Sequence, residues 1–136
     1  EDNLRLGNSL LDFGCGSGIL SIVGSFCGAE NIVAVDKDKN ALENAKYNLK
    51  LNNVQADLFS SEEFQIKSKY DIVIANILSN VLVEIEPLLR SLVGNRLVLS
   101  GILPNQAMLI REIYSSWLSF DQILKKDGWL LISGRI

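Results

Sequence analysis

The stretch Leu10-Leu11-Asp12-Phe13-Gly14-Cys15-Gly16-Ser17-Gly18 carries the strongest chemical signal in the chain, because an apolar run enters a turn with glycine at every second position. Glycine lacks a Cβ and tolerates positive φ, so a ligand can lie against such a main chain while the next helix offers its unpaired amides. From the glycines alone, a tight strand-to-helix turn with no ligand reads equally well. Two carboxylates favour the ligand. Asp36 ends the next apolar run, close to the spacing of roughly twenty residues at which a carboxylate meets ribose hydroxyls. Its alternative task is to cap the following helix, which Asp38 could also do. Asp12 stands two residues before Gly14, where negative charge repels a pyrophosphate and suits a ligand bearing an ammonium; its alternative is an acceptor for loop amides. A dinucleotide site wants glycine three places after the second one, and Ile19 stands there, with Gly18 one place early. The pattern points away from NAD and toward a nucleoside attached to an amino acid.

The elements around these residues read as alternating strands and helices. Strands are expected at Ser9 to Phe13, Asn31 to Val35, Val54 to Ala56, Tyr70 to Ala75 and Arg96 to Ser100. Helices are expected from Gly18 to Cys27, with Ile19, Leu20, Val23 and Phe26 on the apolar face, from Lys39 to Leu51, from Ser79 to Leu92 with an interruption at Pro87, and from Pro104 to about Trp117. Ser60 to Lys69 reads as a loop or a short solvated helix. Ile72, Val73, Ile74 and Ala75 are all apolar, so the fourth strand should be covered on both faces and lie centrally. The chain ends in a hairpin, Phe120 to Lys125 and Trp129 to Arg135 about an Asp127-Gly128 turn. The expected fold is α/β, a doubly wound, Rossmann-like, mostly parallel sheet finished by an antiparallel hairpin, in one domain over residues 1–136.

Composition narrows the function. With 13 Lys+Arg against 16 Asp+Glu and the basic residues scattered, the chain has no footprint for nucleic-acid phosphates. Two cysteines, Cys15 and Cys27, and no histidine leave no metal site and no disulfide framework. No apolar run approaches the roughly twenty residues of a membrane span, and the opening residues have neither head nor body of a signal peptide. These features suit a cytoplasmic monomer with no membrane partner. Without histidine, the commonest general base is missing, so any catalysis needs another route.

LLDFGCGSG followed by VAVDKDKNALENAKYN resembles the first two motifs of class I methyltransferases that use S-adenosylmethionine. More narrowly, ANIL at Ala75 to Leu78, SGIL at Ser100 to Leu103 with Gln106 after it, and the closing WLLISGR resemble the enzymes that methylate large-subunit ribosomal protein eleven. The resemblance covers nearly the whole chain. It implies that Gly14, Cys15, Gly16 and Gly18 line the methionine part of the cofactor, with Asp12 oriented to its amino group directly or through water. It also implies that Asp36, with Lys37 beside it, holds the ribose and that Asp57 meets the adenine amino group; the alternative for Asp57 is an exposed loop acid. Asn76, at the carboxyl end of a central strand where ligands gather in open α/β sheets, becomes the catalytic candidate and a cofactor neighbour, its oxygen aligning a substrate amine. Its alternative is to cap the next helix.

The function that follows is an N-methyltransferase acting on lysine or N-terminal amines of a ribosomal or other protein. The sulfonium already carries an activated methyl, so the protein's task is alignment and stripping of water. The resembling enzymes also carry an amino-terminal recognition domain and a linker, and this sequence shows neither. A non-catalytic cofactor- or partner-binding module of the same fold is the main rival reading. A nucleotide-binding oxidoreductase is the second, and Ile19 and Asp12 count against it.

Overall fold

A computed structural model describes residues 7–136 of the chain. They form one seven-stranded sheet in the order β3-β2-β1-β4-β5-β7-β6. Strands β1 (Ser9–Phe13), β2 (Asn31–Asp36), β3 (Asp57–Ser60), β4 (Tyr70–Asn76) and β5 (Val93–Ile102) run parallel. Strands β6 (Ser119–Lys126) and β7 (Trp129–Arg135) close the far edge antiparallel. The strand order reverses at β1, which lies between β2 and β4. Ligands of open α/β sheets bind at the carboxyl ends of the strands flanking such a reversal. β4 is the middle strand, and Ile72, Val73 and Ala75 are buried on its two faces as the unbroken apolar run requires.

Helices α1 (Ile19–Phe26) and α2 (Lys39–Leu51) follow β1 and β2. Ser79 to Leu92 is two helices, α3 (Ser79–Glu84) and α4 (Glu86–Leu92), because Pro87 lacks an amide donor and fits only the first turn of a new helix. Pro104–Gln106 is a 3-10 turn leading into α5 (Ala107–Tyr114), which stops one turn earlier than the sequence suggests. Two expectations need correction. The apolar face of α1 is not the one that packs: Ser21, Ile22 and Gly24 are buried, whereas Ile19, Val23 and Phe26 are exposed, Phe26 by 68%. Gly24 seats against Leu10, so the helix lies close to the sheet on its small residues. The third strand begins at Asp57, not Val54, with Leu58 and Phe59 in the ladder beside Ala34 and Val35. That shift of three residues moves every side chain of the segment along the sheet.

The terminal hairpin is anchored by a charge cluster. Arg96 on β5, only 3% exposed, donates from Nη1 and Nη2 to the Asp121 carboxylate of β6 at 3.0 and 2.6 Å. It also reaches Ser133 Oγ of β7 at 3.2 Å, and Ser133 donates to Asp121 Oδ1 at 3.0 Å. The guanidinium beside Asp121 holds its carboxyl below the usual range. A depressed acid contributes stability above its unfolded pKa and loses it as pH falls through the folded value. Asp121→Ala strands the buried guanidinium and should cost about 2 kcal/mol, less than a fully enclosed pair because Asp121 is partly open to solvent. Urea unfolding at neutral pH measures this, and the acid-side loss of stability should shrink in the variant; an unchanged midpoint would show that the cluster contributes nothing.

Candidate active site

The loop after β1 is closed by Asp36. Its Oδ2 accepts from the Gly16 amide at 2.8 Å, and its Oδ1 accepts from the Asp38 amide at 2.9 Å. The carboxylate at the tip of β2 is therefore turned onto the glycine loop. Capping of α2 falls to Asp38, which accepts from the Asn40 amide at 2.8 Å. Each carboxylate oxygen has a second lone pair, so two acceptor positions remain on Asp36 for a diol. Gly16 has φ 53°, and the space where a Cβ would stand is open. A side chain there would both strain the backbone and fill the cradle.

At the other two glycines the missing Cβ makes room for packing. The Cβ position of Gly14 is taken by Ile77 Cγ2, 2.5 Å away, and that of Gly18 faces the Ala45 Cβ of α2 at 3.2 Å. Gly18 is buried and lets α1 and α2 pack closely, so lining the ligand is not what demands glycine at that position. Cys15 is also a packing residue: its side chain lies with Ala34 and Ala45, and burial, with Asp12 and Asp36 nearby, pushes its thiol up to about 12. Only its backbone belongs to the loop.

Asp12 is wholly buried beneath that loop. Gly18, the N-cap of α1, has no side chain to cap with, and Asp12 supplies the missing acceptor from β1: its Oδ2 accepts from the Ser21 amide at 3.0 Å and from Ser21 Oγ at 2.8 Å. Asp12 is thus an acceptor for the first turn of α1, and its hydrogen bonds come from Ser21 of that helix. The Asp12 side chain has no exposure in this structure. Oδ1 is buried and has no hydrogen-bond partner. Burial pushes the Asp12 carboxyl up, against the Ser21 hydrogen bonds that lower it, and the charge of Asp36 raises it further.

Asn76 ends β4 beside Ser100 of β5 and is exposed. It does not cap α3, whose N-cap is Leu78 with no side-chain cap bond. Instead it opens into a cavity of about 510 Å³ that it lines with Ile77, Leu78, Ser100, Gly101 and Trp129. Ser100, Gly101 and Trp129 were not singled out as site residues from sequence. Gly101 was legible in part, as the glycine of SGIL: it has φ 81°, and a Cβ on it would meet the Ile77 carbonyl oxygen at 2.6 Å. Gln106, also of that motif, accepts from the Leu103 amide at 2.9 Å and fixes the turn beyond β5. Ile77 packs against Gly14 with its side chain and against Gly101 with its carbonyl, so the glycine loop and the Asn76 cavity share a wall.

Lys37 follows Asp36 at the strand tip and is exposed. Asp57 is elsewhere. It opens β3 in register with Val33, three residues before the Asp36–Ser60 pair, roughly 10 Å down the sheet at the rise of a strand. There it lines a hollow of about 570 Å³ between β2, β3 and α2, and its charge helps to raise the Tyr70 hydroxyl's pKa after burial. This register sets Asp57 apart from Asp36 and the glycine loop. Ser60 and Ser61 hold the tip of β3 beside Asp36, with the Ser61 amide donating to the Asp36 carbonyl at 3.0 Å.

Comparison with known proteins agrees with this fold. The family model for ribosomal protein L11 methyltransferase (PrmA) matches residues 1–136. The chain belongs to that family. Ribosomal protein L11 methyltransferase of Cupriavidus pinatubonensis is 43% identical over 136 residues, covering 98% of this chain and 46% of that protein. The Neisseria meningitidis protein of the same name is 40% identical over 98% of this chain and 46% of its own length. The chain thus spans less than half the length of these L11 methyltransferases. Among solved structures, the ribosomal protein L11 methylase of Lactobacillus delbrueckii subsp. bulgaricus superposes with a TM-score of 0.86 at 25% identity, over 97% of this chain and 71% of that one. A magnesium protoporphyrin IX methyltransferase from Synechocystis, with SAM bound, has the same fold at a TM-score of 0.78 and 21% identity, over 96% and 70% of the two chains.

Asp12→Asn separates the structural and electrostatic tasks of Asp12. The amide oxygen can still accept from Ser21, while the charge disappears. An acid with a raised folded-state pKa costs stability as pH rises through that value. The wild-type chain should therefore lose stability from this site on going from acid to neutral pH, and the variant should lack that slope. Urea midpoints across pH 4 to 8 test it; identical slopes would mean that Asp12 carries no buried charge.

Proposed function

We propose that the chain binds S-adenosylmethionine in the cradle between Asp36 and Gly16 and transfers methyl groups to amine nitrogens of a protein, with ribosomal protein L11 as the substrate. The observation that carries this reading is the adjacency of the two half-sites. Ile77 is the wall they share, and Asn76 is the next residue along the chain, uncapped and facing an open cavity.

The residues present fit such a cofactor. Asp36 keeps two acceptor positions for ribose hydroxyls, Gly16 leaves its side open, and the unpartnered Oδ1 of Asp12 adds negative charge below the place of an amino group. When bound, the sulfonium supplies an activated methyl group. The chain then has one remaining task at the acceptor. Asn76 accepts a hydrogen bond from a neutral amine through its side-chain oxygen and aims the nitrogen lone pair, while Ile77 and Leu78 keep water from it. A lysine ammonium must lose its proton before attack, and solvent can take it at the open cavity mouth. A chain without histidine is compatible with that route.

Scattered basic residues and a net charge of -3 support a protein substrate over nucleic acid. Among the described residues no helix is long and apolar enough to cross a membrane. With the family assignment, this supports work in the cytoplasm.

Two variants test the division of labour. Asp36→Ala should weaken S-adenosylhomocysteine binding by about a hundredfold in calorimetry, the worth of a charge-assisted pair of bonds. Asn76→Ala should leave that affinity within about threefold and lower methyl transfer to purified ribosomal protein L11 by about a hundredfold, the usual scale for an aligning polar group. Binding without any transfer in the wild-type chain would favour a non-catalytic module, and transfer unaffected by Asn76→Ala would remove Asn76 from the reaction.

A further inference from the structure

A loop built like the one after β1 loses much entropy in holding a single shape. Gly14, Gly16 and Gly18 take φ of 76°, 53° and 79°, and glycine is the residue with most conformational freedom to give up on folding. Backbone bonds supply part of the order. Gly14 and Cys15 both donate to the Val35 carbonyl, at 2.8 and 3.0 Å, and Gly18 donates to the Cys15 carbonyl at 2.9 Å. Asp36 takes the Gly16 amide. None of these bonds involves Ser17, the exposed residue between the last two glycines.

Asn48 supplies that hold from α2. Its side-chain Nδ2 donates to the Ser17 carbonyl at 2.9 Å, across 31 residues of sequence. The helix sets the reach. Ala45 lies against the Cβ position of Gly18 at 3.2 Å, and residues three apart share a helix face, so the close approach at Gly18 brings Asn48 to the loop as well. The start of α2 is fixed in turn by Asp38, which caps the helix and gives its own amide to Asp36. The loop is therefore gripped at two consecutive residues, Gly16 by Asp36 and Ser17 by Asn48, from β2 and the helix that follows it.

Resting on the methyltransferase reading above, we propose that Asn48 is a positioning residue of the cofactor cradle: by fixing the Ser17 carbonyl it holds the arc from Gly16 to Gly18 in its binding shape before the ligand arrives. Asn48 acts through the loop and needs no contact with the ligand. A loop ordered in advance does not have to be ordered at the moment of binding, and the affinity is higher by that amount. Two substitutions isolate the bond. Asn48→Ala removes it while placing a better helix former in α2. Asn48→Asp keeps the shape and volume but puts an oxygen where the donor stood, and an ionised carboxylate cannot donate to a carbonyl.

The test uses the whole chain and three readouts. In calorimetry, Asn48→Ala and Asn48→Asp should each weaken S-adenosylhomocysteine binding by about fivefold, the worth of one hydrogen bond. In ¹⁵N relaxation of the ligand-free chain, the order parameters of the Ser17 and Gly18 amides should fall in both variants and recover on saturation with S-adenosylhomocysteine. In methyl transfer to ribosomal protein L11, KM for S-adenosylmethionine should rise about fivefold with kcat unchanged, as for an interaction made equally in ground and transition states. Asn52→Ala is the control, because it deletes the 2.8 Å bond from Asn52 Nδ2 to the Asn48 carbonyl at the end of the same helix and should leave affinity and loop order as in the wild type. Equal weakening by Asn52→Ala would assign the effect to the stability of α2 and overturn the proposal. Wild-type affinity in both Asn48 variants, or weakened binding with the order of the free loop unchanged, would overturn it too. In each of these cases the wild-type chain still binds and the methyltransferase reading stands. If S-adenosylhomocysteine does not bind the wild-type chain, that reading fails and the proposal with it.

Discussion

The hydrogen bond from the Gly16 amide to the Asp36 carboxylate is the constraint on which the site depends. It links the loop after β1 to the tip of β2, and it lets a side chain at one strand end hold a backbone turn at another. Because β1 and β2 are in register from Ser9–Asn31 to Phe13–Val35, the carboxylate is brought to the loop by the sheet itself. The bond also orients the carboxylate, so a ligand does not have to order it, and pre-paid orientation of this kind is what makes a charge-assisted contact effective. Asp12 works beneath the same loop. It caps a helix whose own N-cap position is glycine and leaves one oxygen without a partner. The loop therefore rests on two carboxylates, and the charge of Asp36 adds to the burial that raises the Asp12 carboxyl.

The acceptor side depends on close backbone approach. Ile77 fills the space beside Gly14 and passes its carbonyl against Gly101, so the loop after β4 is held to the loop after β1 by one contact and to the end of β5 by the other. A methyl group can be transferred only over a short, aligned distance. On the proposed reading, the wall shared at Ile77 would keep the methyl donor and the acceptor amine adjacent, and the Arg96–Asp121–Ser133 cluster anchors the hairpin that carries Trp129.

The parallel sheet, its centre at β4 and its antiparallel ending were legible because each rests on a local pattern: an unbroken apolar run at Tyr70 to Ala75 and an Asp-Gly turn between alternating strands. Asp36 and Asn76 were legible because strand ends can be read. What sequence could not give was register and face. Val54 to Ala56 is as apolar as a strand start should be, but the ladder begins at Asp57, and that slip sets Asp57 apart from Asp36 along the sheet. Helix α1 has its larger apolar residues on the side away from the sheet, so its period pointed to the wrong face; Ser21, Ile22 and Gly24 meet the sheet, because small residues allow close approach. Cys15 and Gly18 carried a motif's assignment but pack against Ala45. Trp129 depended on a bulge 28 residues upstream at Gly101, a long-range feature with no local signature.

A crystal structure of the chain with S-adenosylhomocysteine tests the central claim most directly. The account predicts both ribose hydroxyls on the Asp36 carboxylate, the amino-acid tail along the open side of Gly16 above Asp12, and the sulfur directed at the cavity of Asn76. A nucleoside seated in the larger hollow beside Asp57 and Lys46, with Asp36 making no contact to it, would contradict the account.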